Sequence, residues 1–181
     1  MKNNIKWIIK ITLLSIVISV VFTLASTKVL SGAGYIAAFA ILLVFILIGI
    51  LFDIIGVSVT VAPEAPFHSM ASRRRRGARE ALRLIKNSEK VSSICNDVVG
   101  DIAGIVSGTT STIIVTMLVR DFSFGNVLLQ LAMSGFVSGL TIGGKAIGKI
   151  FALSDSIEIV FFVGRFISLF SGDKRRKGKK K

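Results

Sequence analysis

The chain has little of what a disulfide, a zinc site or a soluble surface requires. It holds one cysteine, Cys95, so an intrachain disulfide is excluded, and no Cys/His cluster is present to bind zinc. Only 18 % of its 181 residues are charged, which is well below the share in a typical soluble domain. Acidic residues are the scarcer sign, with 10 Asp and Glu against 23 Lys and Arg.

Apolar residues are abundant instead. They make up 52 % of the chain, and the mean hydropathy is +0.75, which excludes a disordered protein and predicts an integral membrane protein. The formal net charge of +13 would suggest nucleic-acid binding in a soluble protein. Here the basic residues form blocks outside the apolar runs, as membrane topology requires, so we expect no nucleic-acid partner.

Four apolar runs are each long enough to cross ~30 Å of hydrocarbon as a helix. They show no alternation with a period of two, so a β-barrel is not favoured and the predicted fold is all-α. The runs cover about Ile5–Ala25, Tyr35–Ala62, Val98–Val119 and Phe124–Ala146. The first run, within segment 1–30, follows three lysines and resembles a signal peptide; we favour an uncleaved helix, with cleavage as the alternative.

The Lys and Arg residues predict the orientation. All of them except Lys28 and Arg120 lie at the N-terminal end of the chain up to Lys10, in the segment between the second and third runs, or from Lys145 onward at the end of the fourth run. Four spans with both termini in the cytoplasm place these three regions on the inner side of a plasma membrane. A fifth stretch, in segment 151–172, carries Asp155, Glu158 and Arg165, and we interpret it as an interfacial helix rather than a fifth span.

The connector at 63–95 is predicted to be a basic amphipathic structure. Pro63 and Pro66 end the second helix. From Ser69 to Lys90 apolar residues recur at helical spacing opposite basic ones, which predicts one helix lying on the inner leaflet. Anionic lipids are the expected partners of this connector and of the polybasic tail 173–181. The residues expected to bind these lipids are Arg73, Arg74, Arg75, Arg76, Lys174, Arg175, Arg176 and Lys177.

Asp53 is the main candidate for chemistry. It lies ten residues before Pro63, which at 1.5 Å per residue is ~15 Å into the membrane. Because no Lys or Arg is expected near that depth, the carboxylate is either protonated or bound to a cation. Asp97 and Asp101 share one face of the third helix, and Asn96, Ser58 and Thr141 offer further oxygens. These hard oxygen ligands suit Mg²⁺ or Ca²⁺ rather than zinc or copper.

Small residues form two stripes of GxxxGxxxG spacing. Gly100, Gly104 and Gly108 lie on the third helix, and Gly135, Gly139 and Gly143 lie on the fourth. Such stripes allow close approach of helices, so we expect these two helices to pack through them and to bring Asp101 near Thr141. A homodimer is compatible with the same stripes.

No motif for an enzyme is found. The segment Thr141–Lys145 lacks the spacing of a phosphate-binding loop and the Ser or Thr that should follow its lysine. The stretch around Asp101 differs from the pattern of intramembrane aspartyl proteases, because Val98 stands where their first glycine is expected.

The segment from Arg76 to Lys90, RGAREALRLIKNSEK, is followed by a helix with a polar start. It resembles the connecting segment of the CNNM/CorB–CorC magnesium transporter membrane domain, and the resemblance covers about Phe52 to Lys149. It implies a divalent-cation transporter of the Mg²⁺ or Co²⁺ class. Since only residues 153–181 follow Ala152, we expect a short form without the family's nucleotide-sensing CBS modules.

The resemblance also suggests where the ion site lies. The family's Phe-Ser pair is similar to Phe52-Asp53, and its Asn-Asn pair falls near Val99-Gly100 or, with a small shift, Asn96-Asp97. Its Gly-Glu-x-x-Pro-Lys segment is similar to 140–145, where Lys145 is retained, Thr141 replaces Glu and Gly144 replaces Pro. An ion site would therefore be built from different carboxylates.

These observations predict a membrane protein whose core, 31–150, binds and moves a divalent cation by alternating access. The alternative is a membrane scaffold or regulator that binds anionic lipid or a partner protein and does not transport. In that case its Asp residues would be protonated packing elements.

Overall fold

The computed structural model describes residues 2–30, 34–122 and 126–171, and within these ranges every element is a helix and no strand occurs. The predicted all-α fold is therefore confirmed. The helices are α1 (Lys2–Leu30), α2 (Tyr35–Val61), α3 (Glu64–Ser72), α4 (Ala78–Lys86), α5 (Ser88–Ser93), a π-helical turn (Ile94–Gly100), α6 (Asp101–Phe122), α7 (Asn126–Ser154) and α8 (Ser156–Ser171).

Four helical stretches in the described residues are long and apolar enough to cross a membrane, as predicted. They are Trp7–Leu30, Tyr35–Val61, Ser88–Asp121 and Val127–Ser154. The third runs without a break through α5, the π-helical turn and α6, so it begins earlier than the apolar run suggested. The fourth continues beyond Ala146 to Ser154, which keeps Lys145 and Lys149 inside α7.

Helix α2 is the centre of the bundle, because α6, α7, the π-helical turn, α5 and α8 all pack against it. Toward its N-terminal end, Leu42 and Ile46 are buried with Ile114 of α6 and Val137 of α7. α1 lies at the edge, mainly against α6. Most of its apolar side chains remain exposed within the chain, as expected for a surface facing lipid.

Glycines bring α2 and α7 together, but not the glycines predicted from the sequence. A Cβ at Gly148 would lie 2.7 Å from Ile54, and a Cβ at Gly144 would meet Ile50. By contrast, a Cβ on any of five predicted packing glycines would meet no atom within 4 Å: Gly104, Gly108, Gly135, Gly139 and Gly143. The prediction that α6 and α7 pack through these stripes is therefore wrong within this chain.

The connector is not the single helix predicted for Ser69–Lys90. α3 ends at Ser72, and the chain turns before α4 begins at Ala78. Arg74 has φ 54° and Gly77 has φ 90°, backbone conformations that interrupt a right-handed helix. The apolar face of α4 is also not free for lipid, because Ala81 and Ile85 are buried in a cluster with Phe67, Val59 and Val160.

Helix α8 crosses α4 with the backbones of the two helices in close contact. A Cβ at Gly164 would lie 2.7 Å from the Gly77 oxygen and 2.7 Å from the Ala81 nitrogen, so only glycine fits there. The predicted helix in segment 151–172 is thus present, and one side of it covers the connector. Its other side exposes Phe162, Phe166 and Phe170, which suits the interfacial position that stays a prediction.

Candidate functional site

Asp53 is buried in the middle of the bundle. Its side chain is 6 % exposed, and its Oδ2 atom has no hydrogen-bond partner among the described residues. Asp53 lies on the same side of α2 as Gly49 and Gly56, since residues three and four apart are neighbours on a helix. Gly49 faces Ala103 of α6, where a Cβ on Gly49 would be 3.4 Å from Cβ of Ala103. The carboxylate therefore belongs to the interface with the third membrane helix.

Asn96 enters the same interface from the π-helical turn. Its Oδ1 atom packs directly on Gly56, one turn of α2 beyond Asp53, and leaves no room for a Cβ there. The Asn96 amide donates to Ser92 Oγ at 3.3 Å, but Oδ1 is buried without a donor among the described residues. A π-helical turn alters the direction of side chains relative to a regular α-helix and is frequent at functional sites.

Lys145 supplies a positive charge near the depth of Asp53, where no Lys or Arg was expected. A Cβ on Gly100, at the end of the π-helical turn, would lie 3.7 Å from Lys145 Nζ. The close packing of Gly144 and Gly148 against α2 brings this part of α7 inward. The sequence gives one indication of this inward position, because Lys145 falls within the fourth apolar run and beside two glycines.

Asp97 and Asp101 lie on a different side of the third membrane helix from the Asp53 interface. Both are exposed, and they line a cavity of about 580 Å³ between α1 and this helix, together with Ser15 and Ser19. Asp97 accepts a hydrogen bond of 2.8 Å from Ser93 Oγ. These carboxylates thus line a cavity whose lining includes neither Asp53 nor Thr141, and the expected approach of Asp101 to Thr141 stays a prediction.

Ser58 and Thr141 are also apart from Asp53. Ser58 is fully buried and its hydroxyl has no partner in the described part of the chain, but five residues place it about 140° around α2 from Asp53. The hydroxyl of Thr141 donates to the Val137 oxygen at 2.8 Å and lines a groove between α6 and α7. Among the predicted ligands, Asn96 thus reaches α2 at Gly56, one turn from Asp53. Among the described residues, no three His, Cys, Asp or Glu side chains cluster as metal ligands.

The predicted lipid-binding arginines lie in the turn between α3 and α4. Arg73, Arg74, Arg75 and Arg76 are all exposed, and Arg75 packs over the ring of Phe161 at 5.4 Å. The turn therefore presents charge at the surface while one arginine ties it to α8. The other predicted residues, Lys174 to Lys177, lie outside the described residues.

The comparisons with known proteins give no relative: no family model matches the sequence, and no curated protein or solved structure matches it significantly. The resemblance to the CNNM/CorB membrane domain therefore stays a prediction.

Proposed function

We propose that the protein binds a small cation, and moves it across the membrane, through a site formed by Asp53 and Asn96. The observation that carries this proposal is the pair of buried oxygens, Asp53 Oδ2 and Asn96 Oδ1, that have no partners among the described residues. Leaving such groups unpaired in a low-dielectric interior is costly, and a bound cation offsets that cost. Carboxylate and amide oxygens favour Mg²⁺ and related hard cations.

In this proposal the Lys145 ammonium group competes with the metal ion for Asp53. The ammonium group is held near Gly100, close to the π-helical turn that carries Asn96. A metal ion that binds Asp53 must therefore approach against a positive charge, or that charge must move away. Such competition weakens the binding of the cation and so favours its release, which a carrier requires.

The orientation belongs to the same proposal. The basic connector and both termini face the cytoplasm of a plasma membrane, which places Asp53 toward the inner half of the bilayer. The mechanism is alternating access around this position, in a protein of CNNM/CorB type. The homodimer expected from the sequence is part of the same proposal.

The scaffold alternative is favoured by one observation, the exposed arginines of the turn between α3 and α4. They suit an anionic membrane surface. In that function Asp53 is a protonated packing group, for which an amide is a close substitute.

A thermal-unfolding titration of the detergent-purified protein tests the proposal. We expect Mg²⁺ or Co²⁺ to raise the unfolding temperature in a saturable way, since a ligand at 100 times its Kd adds about 2.7 kcal/mol to the stability. Asp53→Asn should abolish this shift while the unfolding temperature without metal is retained. Asp101→Asn is the matched control and should keep the shift, because Asp101 lies in the cavity beside α1.

Two outcomes would contradict the proposal. If Asp53→Asn keeps the full metal shift, the site is not at Asp53. If Asp101→Asn alone loses the shift, the cation binds in the cavity between α1 and the third membrane helix. The absence of a shift with every cation tested would favour the scaffold function.

A further inference from the structure

A second polar feature lies inside the membrane region, between α6 and α7. It is a groove of about 340 Å³, whose lining includes Gly104 and Gly108. Its polar lining residues include Ser107, Ser111, Gln130, Ser134, Ser138 and Thr141. Along α7 the groove extends from Gln130 to Ile142, which is ~18 Å of helix and more than half of the ~30 Å hydrocarbon thickness.

The groove is too polar to be filled by lipid chains. Ser111 is 6 % exposed, lines the groove, and has no hydrogen-bond partner for its hydroxyl among the described residues. Gln130, Ser134 and Ser138 also lack partners there, although their side chains lie on the exposed side of α7. Polar groups that face hydrocarbon without a partner are unfavourable, so the groove favours an occupant with hydrogen-bonding capacity.

The inner end of the groove leads to the candidate site. Thr141 and Gly104 line this end. Lys145 lies one turn beyond Thr141 on α7, and Gly100 lies one turn before Gly104. Lys145 Nζ lies against Gly100, so the groove and the Asp53 interface meet at this ammonium group.

We infer that the groove is a water-filled path by which a hydrated cation reaches the Asp53 site from the side of the membrane where α6 ends and α7 begins. This inference rests on the proposed function, because it names the route to that site. The hydroxyl and amide groups replace part of the hydration shell of the cation along the route, and Lys145 stands at its inner end. The open space at Gly104 and Gly108 gives the path its width.

Accessibility of single cysteines in the full chain, reconstituted into lipid vesicles, tests the path. Cys95→Ala removes the one native cysteine, and Ser134→Cys and Ser138→Cys then place thiols in the groove. Phe136→Cys and Leu140→Cys are matched controls at the same depths, because these side chains are exposed but do not line the groove. We expect a cationic, membrane-impermeant thiol reagent to modify both groove positions at least tenfold faster than both controls.

Slow modification of Ser138→Cys, at the rate of Phe136→Cys, would overturn the inference, even if Ser134→Cys reacts quickly. Rapid oxidation of Ser138→Cys to a disulfide-linked dimer would also overturn it, because a second copy would then fill the groove. The labelling does not depend on metal binding, so Asp53→Asn should leave it unchanged. The labelling experiment therefore tests the path independently of the metal titration, which tests the site.

Discussion

At the scale of single residues, the proposed function depends on three polar side chains from three different helices. Asp53 and Asn96 present oxygens without partners in the described part of the chain, and Lys145 presents an ammonium group close to the turn that carries Asn96. A carboxylate and an ammonium group have opposite effects on a cation, so the proposal predicts opposite effects of removing them.

Replacing Lys145 with Met removes the positive charge and keeps a long unbranched side chain. We expect about tenfold tighter binding of Mg²⁺, which corresponds to ~1.4 kcal/mol, because the repulsion from the ammonium group is lost. The midpoint of the metal titration in thermal unfolding measures this change. Lys149→Met is the matched control, since Lys149 is exposed and one turn further along α7, and it should leave the midpoint unchanged. Weaker binding by Lys145→Met would show that Lys145 supports the site instead of competing with the cation.

The sequence predicted two members of this group, Asp53 and Asn96, but neither their surroundings nor the third member, Lys145. Asp53 stands out because an ionisable residue within a long apolar run is visible in the sequence itself. In a regular helix Asn96 would lie about 100° around the axis from Asp97 and about 140° from Asp101. The sequence does not show the π-helical turn that alters these directions. Lys145 was assigned to the flank, because the sequence does not show that Gly144 and Gly148 draw α7 against α2.

At the scale of elements, the crossing of α4 and α8 determines the shape of the connector. α4 has a strongly one-sided apolar face, which the sequence shows, but its partner is α8 rather than lipid. The choice depends on Gly164, where α8 comes within contact of the α4 backbone. Amphipathic periodicity predicts that a face is buried, and it does not say whether protein or membrane covers it.

The crossing makes Gly164→Ala a sharp test of this packing. The new Cβ would lie 2.7 Å from backbone atoms of Gly77 and Ala81, which cannot move as a flexible side chain would. We expect a loss of about 1–3 kcal/mol, as for other overpacked interiors, measured as a lower unfolding temperature. Gly139→Ala should cause no such loss, because its Cβ meets no atom within 4 Å.

Limited digestion with trypsin gives a second readout of the same change. In the parent protein we expect cleavage in the exposed turn at Arg73–Arg76, with α4 protected by its packing. Gly164→Ala should allow cleavage at Arg79 and Arg83, whose side chains are already exposed, because α4 loses its helical structure as it separates from α8. An unchanged digestion pattern and unfolding temperature would contradict the role given to this crossing.

At the scale of the whole molecule, charge is distributed unevenly between the two ends of the bundle. Basic residues concentrate in and around the connector, whereas the opposite end carries Lys28 and Arg120. At that opposite end the Tyr35 hydroxyl donates to Asp121 Oδ2 and also lies 3.2 Å from the Met117 oxygen, which fixes the start of α2 beside the end of α6. The lining of the groove between α6 and α7 extends toward this less basic end as far as Val115 and Gln130.

This asymmetry predicts the orientation of the protein in a cell, because Lys- and Arg-rich segments remain in the cytoplasm. In the Cys95→Ala background, Gly34→Cys marks the end with few basic residues, and Ser72→Cys marks the connector; both positions are exposed. An impermeant maleimide should label Gly34→Cys in intact cells and Ser72→Cys only after the membrane is permeabilised. The reverse pattern would place the connector outside, and the groove would then lead to the Asp53 site from the cytoplasm. Under the proposed function, the direction from which a cation enters therefore follows from the orientation of the whole bundle, since the groove and the basic connector lie toward opposite ends of it.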